Sequence, residues 1–200
     1  MRLSSLLAAA CCTVAAAPPA LHVDFGSVTR LRGGAVELRT PQVAGDDDPA
    51  TPDVATHSAL ARTVATFAAA TITVRMRTES QTRTRGVPNA WERAWLGWDY
   101  RDERHFYYVL LKTNGWEVGK RDPSYPGGQR FLASGAAPAF PLRRWSTVVV
   151  RESGGSIAVD VDGRPLARLT DRSRPYTSGA VALYDEDSVA LFDDLAVVPR

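Results

Sequence analysis

Apolar and polar positions alternate in short runs along most of this chain, and Gly, Pro, Asn and Asp punctuate the runs. That is the period of strands buried on one face, and no long helical period appears after the first twenty residues. The clearest run is Thr71-Ile72-Thr73-Val74-Arg75-Met76-Arg77-Thr78: Ile72, Val74 and Met76 face one way, Thr and Arg the other. Residues 147–151 form a β-branched strand. Residues 156–161 follow, Asp162-Gly163 turns the chain, and it returns through Leu166 to Leu169. Asp-Gly between alternating runs is a strong hairpin signal. Further strands are expected near 23–26, 35–39 and 58–66, with polar loops over 41–53 and 81–89. Residues 178–198 read as two strands joined by the acidic turn Asp185-Glu186-Asp187-Ser188. The pattern predicts an all-β fold, an antiparallel two-sheet β-sandwich.

Residues 91–120 hold seven of the chain's eleven Trp and Tyr residues. Residues 104–112 form a strand, Thr113-Asn114-Gly115 turns it, and residues 116–120 return. Period two puts Phe106, Tyr108, Leu110 and Lys112 on one face and His105, Tyr107, Val109 and Leu111 on the other. Trp116, Val118 and Lys120 share a face of the return strand, and in the preceding strand Trp98 opposes Trp95. One face of such strands is core and the other is outer surface. Rings with polar tips suit sugars, because a pyranose stacks its apolar face on the ring while polar groups bond its hydroxyls. The candidate ligand residues are Trp95, Trp98, His105, Tyr107, Tyr108 and Lys112, followed by Trp116, Glu117, Lys120, Asp122 and Gln129. Filling the space between two sheets is the competing role for the same rings. Lys112 and Lys120 are the chain's two lysines, against 22 arginines. Lys is a compact point charge where Arg is a planar fork. The expectation is that Lys112, Lys120, Tyr108 and Trp116 share one ligand face, with Glu117 and His105 on the other.

Asp193 and Asp194 stand side by side in the apolar closing run. Adjacent carboxylates are costly to bury without a cation, and oxygen-only ligands favour calcium. Other chemistry is poorly represented. There is no G-x-S-x-G elbow and no H-E-x-x-H, and His22, His57 and His105 are scattered. Glycoside hydrolysis needs paired carboxylates on one strand face; the nearest groups, Asp185-Glu186-Asp187 and Asp99 with Asp102 and Glu103, run into turns. A lyase would need a base beside groups that neutralise a uronate, which His105, Tyr107, Lys112 and Gln129 could supply without a diagnostic spacing.

The first twenty residues have the form of a secretory signal peptide: Met1-Arg2, an Ala-rich apolar stretch, then small residues before Leu21. The stretch is short for a membrane span. Both cysteines, Cys11 and Cys12, lie in it, so residues 21–200 carry neither disulfides nor a thiolate zinc site. Ala8-Ala9-Ala10-Cys11 loosely resembles a lipobox, which would make Cys11 a lipid anchor. The remainder suits a single domain, expected to be monomeric. The net charge of +2 is spread without a basic block, which gives no footprint for nucleic acid.

Taken together, several residue groups resemble the concanavalin A-like lectin/glucanase superfamily, and within it the exported bacterial jelly rolls related to laminin-G-like and glycoside-hydrolase-16-like modules. They are Val23-Asp24-Phe25, Phe106-Tyr107-Tyr108 leading to Gly119-Lys120, Trp145, Val159-Asp160-Val161-Asp162-Gly163, and Gly179 to Tyr184 leading into Phe192-Asp193-Asp194. The resemblance implies a jelly-roll sandwich and one structural calcium where the first and last strands meet. Its ligands would be Asp24 and Asp193, or Asp194 if the register differs by one, with backbone carbonyls. The catalytic carboxylate motif of the superfamily's glycoside hydrolases is absent. The expectation is a secreted carbohydrate-binding domain that binds a glycan. The alternatives are a polysaccharide lyase or glycosidase using the same face, and a structural module of the cell surface.

Overall fold

The computed structural model describes residues 17–40, 56–83 and 87–200. Most of the leader, with Cys11 and Cys12, and the loop over 41–53 lie outside the described residues. The architecture is all-β, with fourteen strands in two seven-stranded sheets and one short 3-10 turn at Pro126–Gly128 among the described residues. In spatial order the first sheet is β1 (Leu21–Phe25), β4 (Ser58–Thr63), β13 (Ala180–Glu186), β6 (Ala94–Asp102), β7 (His105–Lys112), β8 (Gly115–Arg121) and β9 (Gln129–Gly135). The second is β12 (Arg164–Thr170), β11 (Ser156–Val161), β10 (Ser146–Ser153), β5 (Ala69–Gln81), β14 (Ser188–Pro199), β3 (Val36–Arg39) and β2 (Ser27–Arg30). Every strand pairing is antiparallel.

The alternation read from the sequence sets the inner faces. On β5, Ala70, Ile72, Val74 and Met76 are buried while the Thr and Arg residues between them face out. Val148 and Val150 of β10 and Ile157, Val159 and Val161 of β11 extend that core, and Leu96, Trp98, Tyr107, Val109, Leu111 and Val118 meet it from the first sheet. Each fully buried aliphatic side chain contributes about 1.5–3 kcal/mol of burial free energy. Asp162 and Gly163 both adopt positive φ, 50° and 76°, as a two-residue primed turn requires.

One sequence expectation is corrected. Residues 178–198 are two strands, but they do not pair as a hairpin: β13 lies between β4 and β6, whereas β14 lies between β5 and β3 in the opposite sheet. Asp187, at φ 36°, is where the chain crosses. The acidic turn is therefore buried where the chain passes from one sheet to the other, rather than solvated at a hairpin tip. Period two sets the face of each strand but not its partner. Strands β2 and β9 were not anticipated; β2 is four residues long and the Gln129–Gly135 segment does not alternate.

Candidate functional site

The outer face of the first sheet is built from cross-strand rows. Tyr184, Trp95, Leu110, Glu117 and Ser134 are register neighbours across β13, β6, β7, β8 and β9. The next row is Ala182, Gly97, Tyr108, Gly119 and Phe131. A third carries Phe106, Arg121 and Gln129. Tyr108 is thus flanked by glycines on both neighbouring strands. A Cβ on Gly119 would lie 2.4 Å from the Tyr108 hydroxyl oxygen, so only glycine lets this ring lie along the sheet. The ring packs at 4.6 Å from Trp95, which meets Tyr184 edge-on at 5.5 Å. Together with Phe106, Leu110 and Leu60 they form a second apolar cluster outside the main core.

Over this layer lies a cleft of about 630 Å³. Trp91 and Phe131 stand at its borders with 44% and 61% of their surface exposed. Its polar lining is Thr56, Lys112, Asn114, Glu117, Arg121, Gln129 and Glu186. Lys112 is ion-paired with Glu117 across the β7–β8 turn. The Gln129 amide donates to the Tyr108 hydroxyl. Tyr184 donates its hydroxyl to Glu186 Oε1 at 2.6 Å. Burial raises the proton affinity of Glu186, with the neighbouring Arg121 acting in the other direction. Burial also pushes the Tyr108 hydroxyl up, so it stays protonated and available as a donor.

Of the expected ligand residues, the structure brings together Trp95, Tyr108, Lys112, Glu117 and Gln129 on this face. The remaining six lie elsewhere. Trp98 and Tyr107 stack at 5.8 Å within the intersheet core. Trp116 packs against the same core and donates Nε1 to the Ala137 carbonyl at 2.9 Å. His105 is bonded to Asp102 at 2.8 Å. Asp122 accepts from the Ser124 amide at 2.9 Å and stands 3.7 Å from Lys120. The shared face expected for Lys112, Lys120, Tyr108 and Trp116 does not form. Tyr107 pairs with Lys120 and Leu111 with Trp116, all pointing inward, while Glu117 points outward beside Lys112.

Lys120 is 0% exposed and fully engaged. Its Nζ donates to Asp171 Oδ2 at 2.8 Å and to the Ser173 and Arg174 carbonyls at 2.8 and 3.2 Å. Tyr107 donates to the same Asp171 oxygen at 2.8 Å. The rings of Tyr176 and Tyr125 lie 5.1 and 5.6 Å from the ammonium. A buried lysine is costly unless paired and fully hydrogen-bonded, and this one is both. It fastens the segment after β12 to the end of the first sheet.

The carboxylates expected to hold calcium lie on strands of different sheets, each beside a basic side chain. Asp24, on the edge strand of the first sheet, accepts from Arg62 Nε at 3.0 Å and lies 3.3 Å from His22. Asp193 and Asp194 belong to the second sheet and face Arg75, at 3.7 and 3.4 Å. Among the described residues, no three His, Cys, Asp or Glu side chains converge as a metal site. The adjacent aspartates instead mark a β-bulge: the β14–β5 register slips between Asp193 and Ala196, and Asp194 takes φ 52°. Each of the three aspartates thus has a cationic protein side chain as partner.

The sequence reading left Trp91, Arg121, Phe131, Tyr184 and Glu186 out of the site. Period two along β8 already aligned Arg121 with Glu117, and the same period aligned Tyr184 with Glu186. Phe131 was hidden by the unanticipated β9.

No protein-family model matches the chain, and no curated protein matches it. Solved structures do. The carbohydrate-binding module CBM66 of Bacillus subtilis superposes with a TM-score of 0.68 at 11% identity, covering 90% of this chain and 96% of that one. The β-glucanase of Bacillus licheniformis gives 0.57 at 12% identity, covering 86% and 82%. The transglycosylase Crh5 gives 0.58 at 11% identity, covering 90% and 78%. The fold is thus the concanavalin A-like jelly roll over most of the chain.

Proposed function

We propose that this chain is a glycan-binding jelly-roll domain that takes its ligand in the outer cleft of the first sheet. The observation that carries the reading is the cleft itself, in which two exposed rings border a row of polar side chains above a rigid aromatic floor. An exposed ring offers a stacking surface for a pyranose, and amide, ammonium and carboxylate groups beside it bond the hydroxyls. The likeness to a carbohydrate-binding module and to two carbohydrate-active enzymes supports the same reading. Export and calcium are not needed for it.

The test is a glycan array probed with the folded chain, with Trp91→Ala beside it. Binding that weakens in Trp91→Ala while the melting temperature holds supports the cleft. Absence of binding to every glycan overturns the reading.

A second reading, a glycosidase, draws on Glu117 and Glu186 lining one cleft in unlike environments. Glu117 is ion-paired with Lys112, whereas burial favours the acid form of Glu186. A carboxyl group held toward its acid form beside a second carboxyl group is an arrangement that acid catalysis can use. Release of reducing ends from a bound glycan, lost in Glu186→Gln, would establish it. Binding without product leaves the binding domain.

A further inference from the structure

Arg121 stands on β8 between Phe106 and Gln129 of the adjoining strands, in the lining of the cleft. Its Nε is buried without a hydrogen-bond partner, and among the described residues its guanidinium meets no carboxylate in an ion pair. The other charges of the cleft are engaged. Glu117 is taken by Lys112, and Glu186 accepts from Tyr184 at 2.6 Å. The cleft therefore holds one cation that has no ion-pair partner among the described residues, with a buried Nε left without a hydrogen bond, which is costly until a partner meets it.

A guanidinium presents a planar fork that matches a carboxylate or a sulfate in two parallel hydrogen bonds. Gln129, in register with Arg121, places an amide beside that fork, and Phe131 of the same strand supplies an exposed ring. We propose that the cleft selects glycans carrying an anionic group, a uronate carboxylate or a sulfate ester, and that Arg121 is the residue that grips it. This specificity rests on the cleft being a glycan site.

The experiment is calorimetric titration of the folded chain with matched neutral, uronate and sulfated oligomers of galactose, glucose and mannose. At least one charged oligomer should bind roughly tenfold more tightly than its neutral counterpart, a difference of about 1.4 kcal/mol. That preference should shrink as salt is raised, because a charge contact in an open cleft is screened. Arg121→Gln should abolish the preference, bringing the charged and neutral oligomers to equal affinity; Arg121→Lys should restore part of it. A uronate-only or a sulfate-only preference identifies which anion is gripped. Equal or tighter binding of neutral oligomers overturns this inference and leaves the glycan reading intact. So does a charged preference that survives Arg121→Gln. If no oligomer binds and the array is also blank, the glycan reading fails, and this inference with it. If Arg121→Gln does not fold, Arg121→Lys, which keeps the charge but not the fork, carries the test: an unchanged preference there overturns the assignment of the grip to the guanidinium.

Discussion

A single buried lysine shows how residue-scale chemistry shapes this molecule. Lys120 and Asp171 are both wholly buried and hydrogen-bonded to each other. Lys120→Met leaves the buried Asp171 with Arg130, at 3.4 Å, as its remaining charged partner, which should cost about 3 kcal/mol in urea unfolding. Lys120→Met combined with Asp171→Leu should recover part of that loss, because the undercompensated buried charge is gone. Burial pushes the Asp171 carboxyl up, but hydrogen bonds from Lys120, the Ser173 amide and Tyr107 outweigh it and hold the carboxyl below its ordinary range. A depressed folded pKa stabilises above the unfolded value of about 3.9 and is lost as pH falls through the folded value. The pair should therefore begin to weaken only in acid below about pH 4. Four of the six described non-glycine residues with positive φ are aspartates, Asp99, Asp162, Asp187 and Asp194. A short polar side chain tolerates that region best after glycine. Much of the acidic punctuation in the sequence is accordingly backbone geometry.

At the scale of elements, the cleft depends on two strands giving up their side chains beside Tyr108. Gly119→Val puts a branched side chain where the Tyr108 hydroxyl lies. The ring must lift into the cleft, so glycan binding should disappear in the titration, with a loss of about 1–3 kcal/mol of stability from overpacking. Phe131→Ala, on an exposed ring at the border, should weaken binding with little change in melting temperature. The β14 bulge gives a contrasting test. Asp193 faces Arg75 at a half-exposed position, so Asp193→Ala should cost under about 1 kcal/mol. Asp194→Val, at φ 52°, should cost about 1–2 kcal/mol or more through the backbone. Calcium held by these residues would reverse the ranking and make the melting temperature fall in chelator. We expect a melting curve that chelator leaves unchanged.

Across the whole molecule, buried acids set the response to pH. Burial raises Asp185 to about 8 and Asp99 to about 6. Burial raises Glu152 to about 8, with the Asp99 charge adding to it. A raised folded pKa means that the native state holds protons the unfolded chain has released. Stability from these groups is complete below about pH 4 and declines as pH rises through 6 and 8. The melting temperature should therefore be higher near pH 5 than near pH 9, by at least about 5 °C. Asp185→Asn, which keeps an oxygen for the Ala59 amide at the 3.0 Å contact, should flatten that slope. A melting temperature that rises from pH 5 to pH 9 would remove these groups from the account.

The alternation of β5, β7, β10 and β11 determined the fold class and the face of each strand, because side-chain direction has period two and burial selects one face. It separated Tyr108 and Lys112 from Tyr107 and Leu111 correctly. Which face was core and which was cleft lay beyond it, since Trp and Tyr serve both and local pattern carries no record of the opposing sheet. The 178–198 segment looked like a hairpin because adjacent strands usually pair. Only the tertiary structure sends β14 to the second sheet, where long-range pairing with β5 and β3 decides. Lys120 was legible as unusual but not as buried. Its partner Asp171 is 51 residues away, a distance that only the folded chain closes. Arg121 and Gln129 become neighbours for the same reason: β9 folds back along β8 and sets an amide beside an unpaired guanidinium.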